Sequence, residues 1–112
     1  MENLQHLEGG YDLFIPLCHE IGLEATILCS FFREAYSKNK EGFFCTNLDM
    51  QFYTALSKNK QTKALKKLKE LNLIHIEKKD SSPKRFFHFN PIKYREICKK
   101  ADLKWEEPNN GK

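Results

Sequence analysis

Apolar residues between Leu23 and Tyr36 fall at Leu23, Ala25, Ile27, Leu28, Phe31, Phe32, Ala35 and Tyr36. That three-to-four spacing predicts a long helix with a broad apolar face. Before it, Tyr11 to Ile21 is apolar and contains Pro16, which suits the first turn of a short helix better than its interior. Gly22 reads as the stop between the two, and the polar run Lys38 to Gly42 ends the long helix. Phe43-Phe44-Cys45 is long enough for a stub of strand. Thr46 suits a helix cap, with Asp49 supplying an acid to the first turn. The helix it opens, Asn47 to Ala55, carries Leu48, Phe52 and Tyr53, with Leu56 just after it.

Ser57 then caps a lysine-rich helix from about Lys58 to Leu71, and Asn72 fits the left-handed position behind it. From Leu73 to Lys79 and from Arg85 to Asn90 the pattern changes to alternation. Between them lie Asp80, Ser81, Ser82, Pro83 and Lys84, a run of turn formers that predicts a β-hairpin. Alternation directs Ile74, Ile76, Phe87 and Phe89 to the core and His75, His88 and Phe86 outward. Pro91 opens a short last helix ending near Lys100. Residues 1–10 are polar and end in a glycine pair, which predicts a flexible arm; 101–112 form a polar tail. The expectation is a single α+β domain over 11–100. It is mainly helical, with a helix-turn-helix, a C-terminal β-hairpin wing and a short terminal helix.

At 112 residues the chain fits one domain with a modest core. No apolar run reaches the roughly 18 residues of a membrane span. The opening MENLQHLEGG has no basic segment leading into an apolar one, so no secretory signal is expected and a cytoplasmic protein is. Cys18, Cys29, Cys45 and Cys98 lack metal-ligand spacing, even with His19 added, and read as buried or half-buried thiols. No metal and no cofactor are expected. Glycine-rich phosphate loops, nucleophile motifs and paired carboxylates are all missing from the sequence, which argues against an enzyme.

Charge changes the picture more than composition does. The net charge is +4, but it is polarised along the chain. Residues 1–56 hold three Lys/Arg against eight Asp/Glu, giving −5, whereas residues 57–100 hold fourteen against four, giving +10. Such a division suggests a face that meets a polyanion. Six lysines lie between Ser57 and Lys69, and the first acid is Glu70. On a helical wheel stepped at about 100° per residue, Gln61, Ala64, Leu65, Leu68 and Leu71 gather on the core side. Asn59, Thr62, Lys63, Lys66 and Glu70 fall opposite, with Lys58, Lys60, Lys67 and Lys69 on the flanks. The outer face thus has hydrogen-bonding types at its N-terminal end and cations along its length, the arrangement a recognition helix needs in a major groove. Asn59, Gln61 and Thr62 are types that read base edges. Without acids at i,i+4 spacing the lysines repel one another, and a merely solvated face gives no reason for that. Lys78, Lys79, Lys84 and Arg85 add cations to the hairpin.

The run from Gly42 to Asn90, which begins GFFCTNLDMQFYTALSKNKQTKALKKLKELNLIHIEKK and ends PKRFFHFN, resembles the winged-helix module of phage replisome organisers and plasmid replication initiators, the DnaD-like N-terminal domains. LKKLKELNLI resembles the end of that family's recognition helix, PKRFFHFN its returning wing strand and IGLEATILCSFF its long scaffold helix. The likeness covers most of the chain, Tyr11 to Ile97. It implies a recognition helix over about 58–71 and a wing over about 78–86. Double-stranded DNA would be contacted by Ser57, Lys58, Asn59, Lys60, Thr62, Lys63, Lys66 and Lys67, and from the wing by Lys84 and Arg85. It implies a homodimer in replication initiation or transcription regulation, with a replication or host protein as a further partner. Asn72 departs from the glycine commoner there. Full initiators continue into a second domain, so the chain is expected to be either an N-terminal fragment or a stand-alone regulator. The alternative is a protein-binding winged helix, such as a phage-encoded inhibitor or adaptor, supported by Phe86 and by the acidic first half. RNA binding is a variant without support from any base-stacking motif.

Overall fold

The computed structural model describes residues 13–78 and 85–105. Helix α1 spans Ile15–Ile21 and holds Pro16 in its first turn, where a missing N–H does no harm. Gly22, at φ 97°, separates it from the long helix α2, Leu23–Lys38. The carbonyl of Gly22 still accepts from the Thr26 N–H at 3.0 Å and from the Thr26 hydroxyl at 2.8 Å, so the new helix starts without a gap in its bonding. Strand β1 is Phe43–Cys45. Helix α3, Asn47–Thr54, begins at a capping box: the Thr46 N–H donates to Asp49 Oδ2 at 2.9 Å and the Asp49 N–H to Thr46 Oγ1 at 3.1 Å.

Three residues, Ala55, Leu56 and Ser57, link α3 to α4, Lys58–Glu70. Ala55 takes the left-handed conformation that closes α3, and buried Leu56 anchors the link. Asn72, at φ 60°, ends α4 in the same way, as its short polar side chain allows. Strands β2, Ile74–Lys78, and β3, Arg85–Phe89, follow. Asn90 then caps α5, Pro91–Lys104, its Oδ1 accepting from the Lys93 N–H at 3.0 Å. The sheet is antiparallel with order β1-β3-β2, so the last strand lies between the other two. Phe87 pairs with Phe43 on one side and Ile76 on the other, and His88 with His75. Among the described residues there are five helices and this one sheet, an α+β arrangement, and no helix is long and apolar enough to cross a membrane.

The core is an aromatic layer between α2 and the sheet. Phe31, Phe32, Phe43 and Phe87 are all essentially inaccessible. Phe32 stacks on Phe87 with centroids 4.9 Å apart and meets Phe43 at 5.6 Å, while Phe43 and Phe87 stack at 5.9 Å. On the neighbouring side Phe31 stacks on Tyr53 of α3 at 5.5 Å. Such pairs add to the burial of the rings themselves, which contributes roughly 1.5–3 kcal/mol each.

Several expectations change. Helix α5 continues to Lys104 rather than ending near Lys100, because Ala101 is buried and anchors one more turn. Trp105 closes it, half-buried and 6.4 Å from the His19 ring. Phe86 faces away from the core but is half-buried, because β1 brings Phe44 against it edge-on at 4.8 Å. Gly42 explains part of that fit: at φ 122°, a Cβ there would lie 2.6 Å from the Phe86 ring. Ile76 is only half-buried. Helix α3, whose inward face the sequence left open, buries Met50 and Thr54 and leaves Leu48 and Phe52 in solvent. The segments expected as an arm, 1–10, and as the tip of the hairpin, 79–84, lie outside the described residues.

Replacing Phe32 by Ala is expected to lower the unfolding free energy by about 3–5 kcal/mol, read from urea denaturation. A loss below about 1 kcal/mol would remove Phe32 from the centre of the core.

Candidate nucleic-acid interface

Helix α4 shows the face its wheel requires. Gln61, Ala64, Leu65 and Leu68 are buried, while Lys58, Asn59, Lys60, Thr62, Lys63, Lys66, Lys67, Lys69 and Glu70 are exposed. Ser57 is the N-cap, its Oγ accepting from the Lys60 N–H at 3.4 Å. No acid stands in the first turn, so the positive end of the helix dipole is left next to Lys58 and Lys60. Among the described residues the lysines of α4 enter no ion pair; carboxylates are engaged by His88, Lys93 and Lys104 instead. The result is one continuous cationic face with polar Asn59 and Thr62 at its N-terminal end. Thr62 donates its hydroxyl to the Lys58 carbonyl at 3.0 Å, which leaves its oxygen able to accept.

Gln61 is not available to any ligand. It is 1% exposed, and its Nε2 donates to the Leu56 carbonyl at 2.8 Å and to the Asn47 carbonyl at 3.1 Å. One amide therefore holds the inter-helix link and the start of α3 against α4. Its Oε1 is buried without a partner among the described residues, so two satisfied carbonyls come with one orphaned acceptor. Arg85 continues this clamp. It shares the inward face of β3 with Phe87 and Phe89, its guanidinium carbon 5.5 Å from the Phe87 ring centroid. One Nη donates to Asn47 Oδ1 at 2.6 Å. Arg85 is thus half-buried and ties the sheet to α3, rather than standing free on a wing. Its odd-numbered parity with Phe87 and Phe89 is the sequence signal for this placement. Lys78 pairs with Arg85 in register and is exposed at the end of β2; Lys79 and Lys84 lie outside the described residues.

The outward side of the hairpin holds a cross-strand His75–His88 pair with centroids 5.7 Å apart, and His88 Nε2 lies 3.0 Å from Glu77 Oε1. The four cysteines are unbonded to one another, Cys29 and Cys45 buried, Cys18 and Cys98 half-buried. Burial pushes the Cys29 thiol up to about 12, helped by Cys98 and opposed by Arg33. Burial likewise raises Cys45, with Asp49 adding and Arg85 opposing. Neither is poised as a nucleophile.

Comparison of the chain with protein-family models, curated proteins and solved structures returned no match.

Two expectations follow from these contacts. Gln61→Ala strands two buried carbonyls and is expected to cost about 2–3 kcal/mol, whereas Gln61→Glu, which loses the donor but keeps the shape, costs at least as much; urea denaturation of both measures it. For Cys29, the unfolded thiol ionises near 9 and the folded one near 12. Between those values the unfolded chain binds fewer protons, so stability falls as pH rises through that window. Melting at pH 8 and pH 10 should show that fall, and Cys29→Ala should lessen it.

Proposed function

We propose that the protein binds double-stranded DNA as a winged helix, with α3 and α4 as its helix-turn-helix, α4 as recognition helix and the β2–β3 hairpin as wing. The single observation that carries this reading is the exposed lysine face of α4, which no carboxylate among the described residues pairs. A helix that keeps like charges together without acids gains from a polyanion what it loses to repulsion. Helix α4 enters the major groove by its N-terminal turns. Asn59 and Thr62 meet base edges, and Ser57, Lys58, Lys60, Lys63, Lys66 and Lys67 meet phosphates on either side. Lys84 and Arg85 extend the contact from the wing, with Lys78 paired to Arg85 in register at the end of β2. Arg85 has a second role here, since its bond to Asn47 holds α3 and the wing strand in one frame.

The three-residue link, the strand order β1-β3-β2 and the helix between β1 and the basic helix support the winged-helix reading. The resemblance to phage and plasmid initiator modules then favours a mobile-element protein of the cytoplasm, either a replication initiator module or a transcriptional regulator. It acts as a homodimer on half-sites about one helical turn apart. Leu13, Phe14 and Ile15 at the start of α1, between 36 and 50% exposed, offer an apolar dimer surface. A second reading, a module that binds protein and not DNA, is favoured by the exposure of Leu48 and Phe52. Phe86 no longer supports it, since Phe44 covers that ring.

The test is titration into random-sequence duplex and into DNA from upstream of its own gene, at several salt concentrations. Wild type is expected to bind with a steep salt slope and to prefer its own DNA. Lys63→Ala/Lys66→Ala should reduce that slope by about two. If wild type binds neither duplex at low salt, the DNA reading is wrong.

A further inference from the structure

Helix α3 turns a neutral face outward, directly beside the cationic one. Leu48 and Phe52, four residues apart, are 78 and 80% exposed, and Gln51 and Ala55 beside them are exposed as well. In a chain that is 30% charged, this stretch of surface carries no charge at all. Of the other exposed apolar residues, Ile92 is next to Lys93, Leu103 lies between Asp102 and Lys104, and Leu13, Phe14 and Ile15 are uncharged but exposed to no more than 50%. Asp49, the one acid of α3, is turned back into the capping box. The two side chains present on the order of 300 Å² of apolar surface, the size of a functional patch on a monomer. A stable dimer needs about 800 Å² per partner, so this face does not hold two copies together in free solution.

We infer that the Leu48–Phe52 face is the contact between neighbouring copies of this chain on DNA, and that it makes binding cooperative. The inference rests on the DNA-binding reading of α4. A neutral apolar patch is self-complementary across a two-fold axis, since the same residues meet with no charge to repel. The link Ala55–Ser57 sets the face next to the helix proposed to enter the groove, so copies on adjacent turns present it to each other. Confinement on one duplex raises effective concentration, which lets a patch too small for a soluble dimer act. Neutrality also decides between occupants. A DNA backbone would select cations here, and α3 offers none on this face.

The experiment compares a random-sequence duplex of about 15 base pairs, little more than one helical turn, with one several times longer. Wild type is titrated against Leu48→Ser/Phe52→Ser, whose sites are exposed enough to leave the fold intact, as circular dichroism melting checks. Wild type should bind the long duplex with a steep isotherm, at least about fivefold tighter per site than the short one, the low end of ordinary coupling. The double variant should keep short-duplex affinity within about twofold and lose the coupling. Three results overturn the inference. Wild type without cooperativity leaves the face for a different protein, unchanged cooperativity in the variant places the contact elsewhere, and an equal loss on the short duplex makes the face a DNA contact. No binding to either duplex by wild type removes the DNA reading itself, a distinct outcome.

Discussion

Everything in this fold is hung on the packing of Phe32 between Phe43 and Phe87. These three rings come from the long helix, the first strand and the last strand, three segments far apart in the chain. Phe31, next to Phe32, carries the same layer to Tyr53 and so to α3. Aromatic packing therefore fixes the sheet and α3 relative to one helix. The lysine face takes its orientation from the same long helix, since α4 packs Ala64, Leu65 and Leu68 against α2 and is tied to α3 by Gln61.

Polar contacts complete what the rings begin. Asn47 is the meeting point: its carbonyl accepts from Gln61 on α4 and its side chain accepts from Arg85 on β3. Three elements are locked at one residue, at the start of the helix just after the capping box. This costs a buried oxygen on Gln61, unpartnered among the described residues. Such an orphan is tolerated where the same amide's two donated bonds fix the angle between two helices.

Local signals in the sequence were enough for nearly every element. Pro16, Thr46 with Asp49, Ser57, Asn72 and Pro91 each act within one turn of themselves, and the structure uses each where its chemistry suggests. Gln61 was legible as a core position by its phase with Leu65 and Leu68, but not its two bonds, which depend on where α3 lies. The same holds for Phe86, whose outward parity was right while its cover, Phe44, arrives from the first strand, on the far side of two helices in the chain. Which side of the short helix α3 turns inward was not legible, since its apolar residues mark no single face and the packing of α2 decides that Met50 and Thr54 are buried while Leu48 and Phe52 are not. The tie of Arg85 to Asn47 was not read either, since a cation near a turn reads as surface until its parity with Phe87 is counted. The resemblance to initiator modules names a role that neither the fold nor the comparisons reach.

Strand order has a consequence in time. Because β3 lies between β1 and β2, β1 has no partner until the chain has reached Phe89. Phe43 must wait for Phe87, and Asn47 for Arg85, while α2, α3 and α4 are already complete in sequence. Emergence from the ribosome thus delivers the basic helix before the strand that completes the sheet. Long-range strand pairing of this kind is the slow part of folding. The basic helix can pack on α2 as soon as both are made, but the aromatic layer stays uncovered on its sheet side until β3, the penultimate element, supplies Phe87.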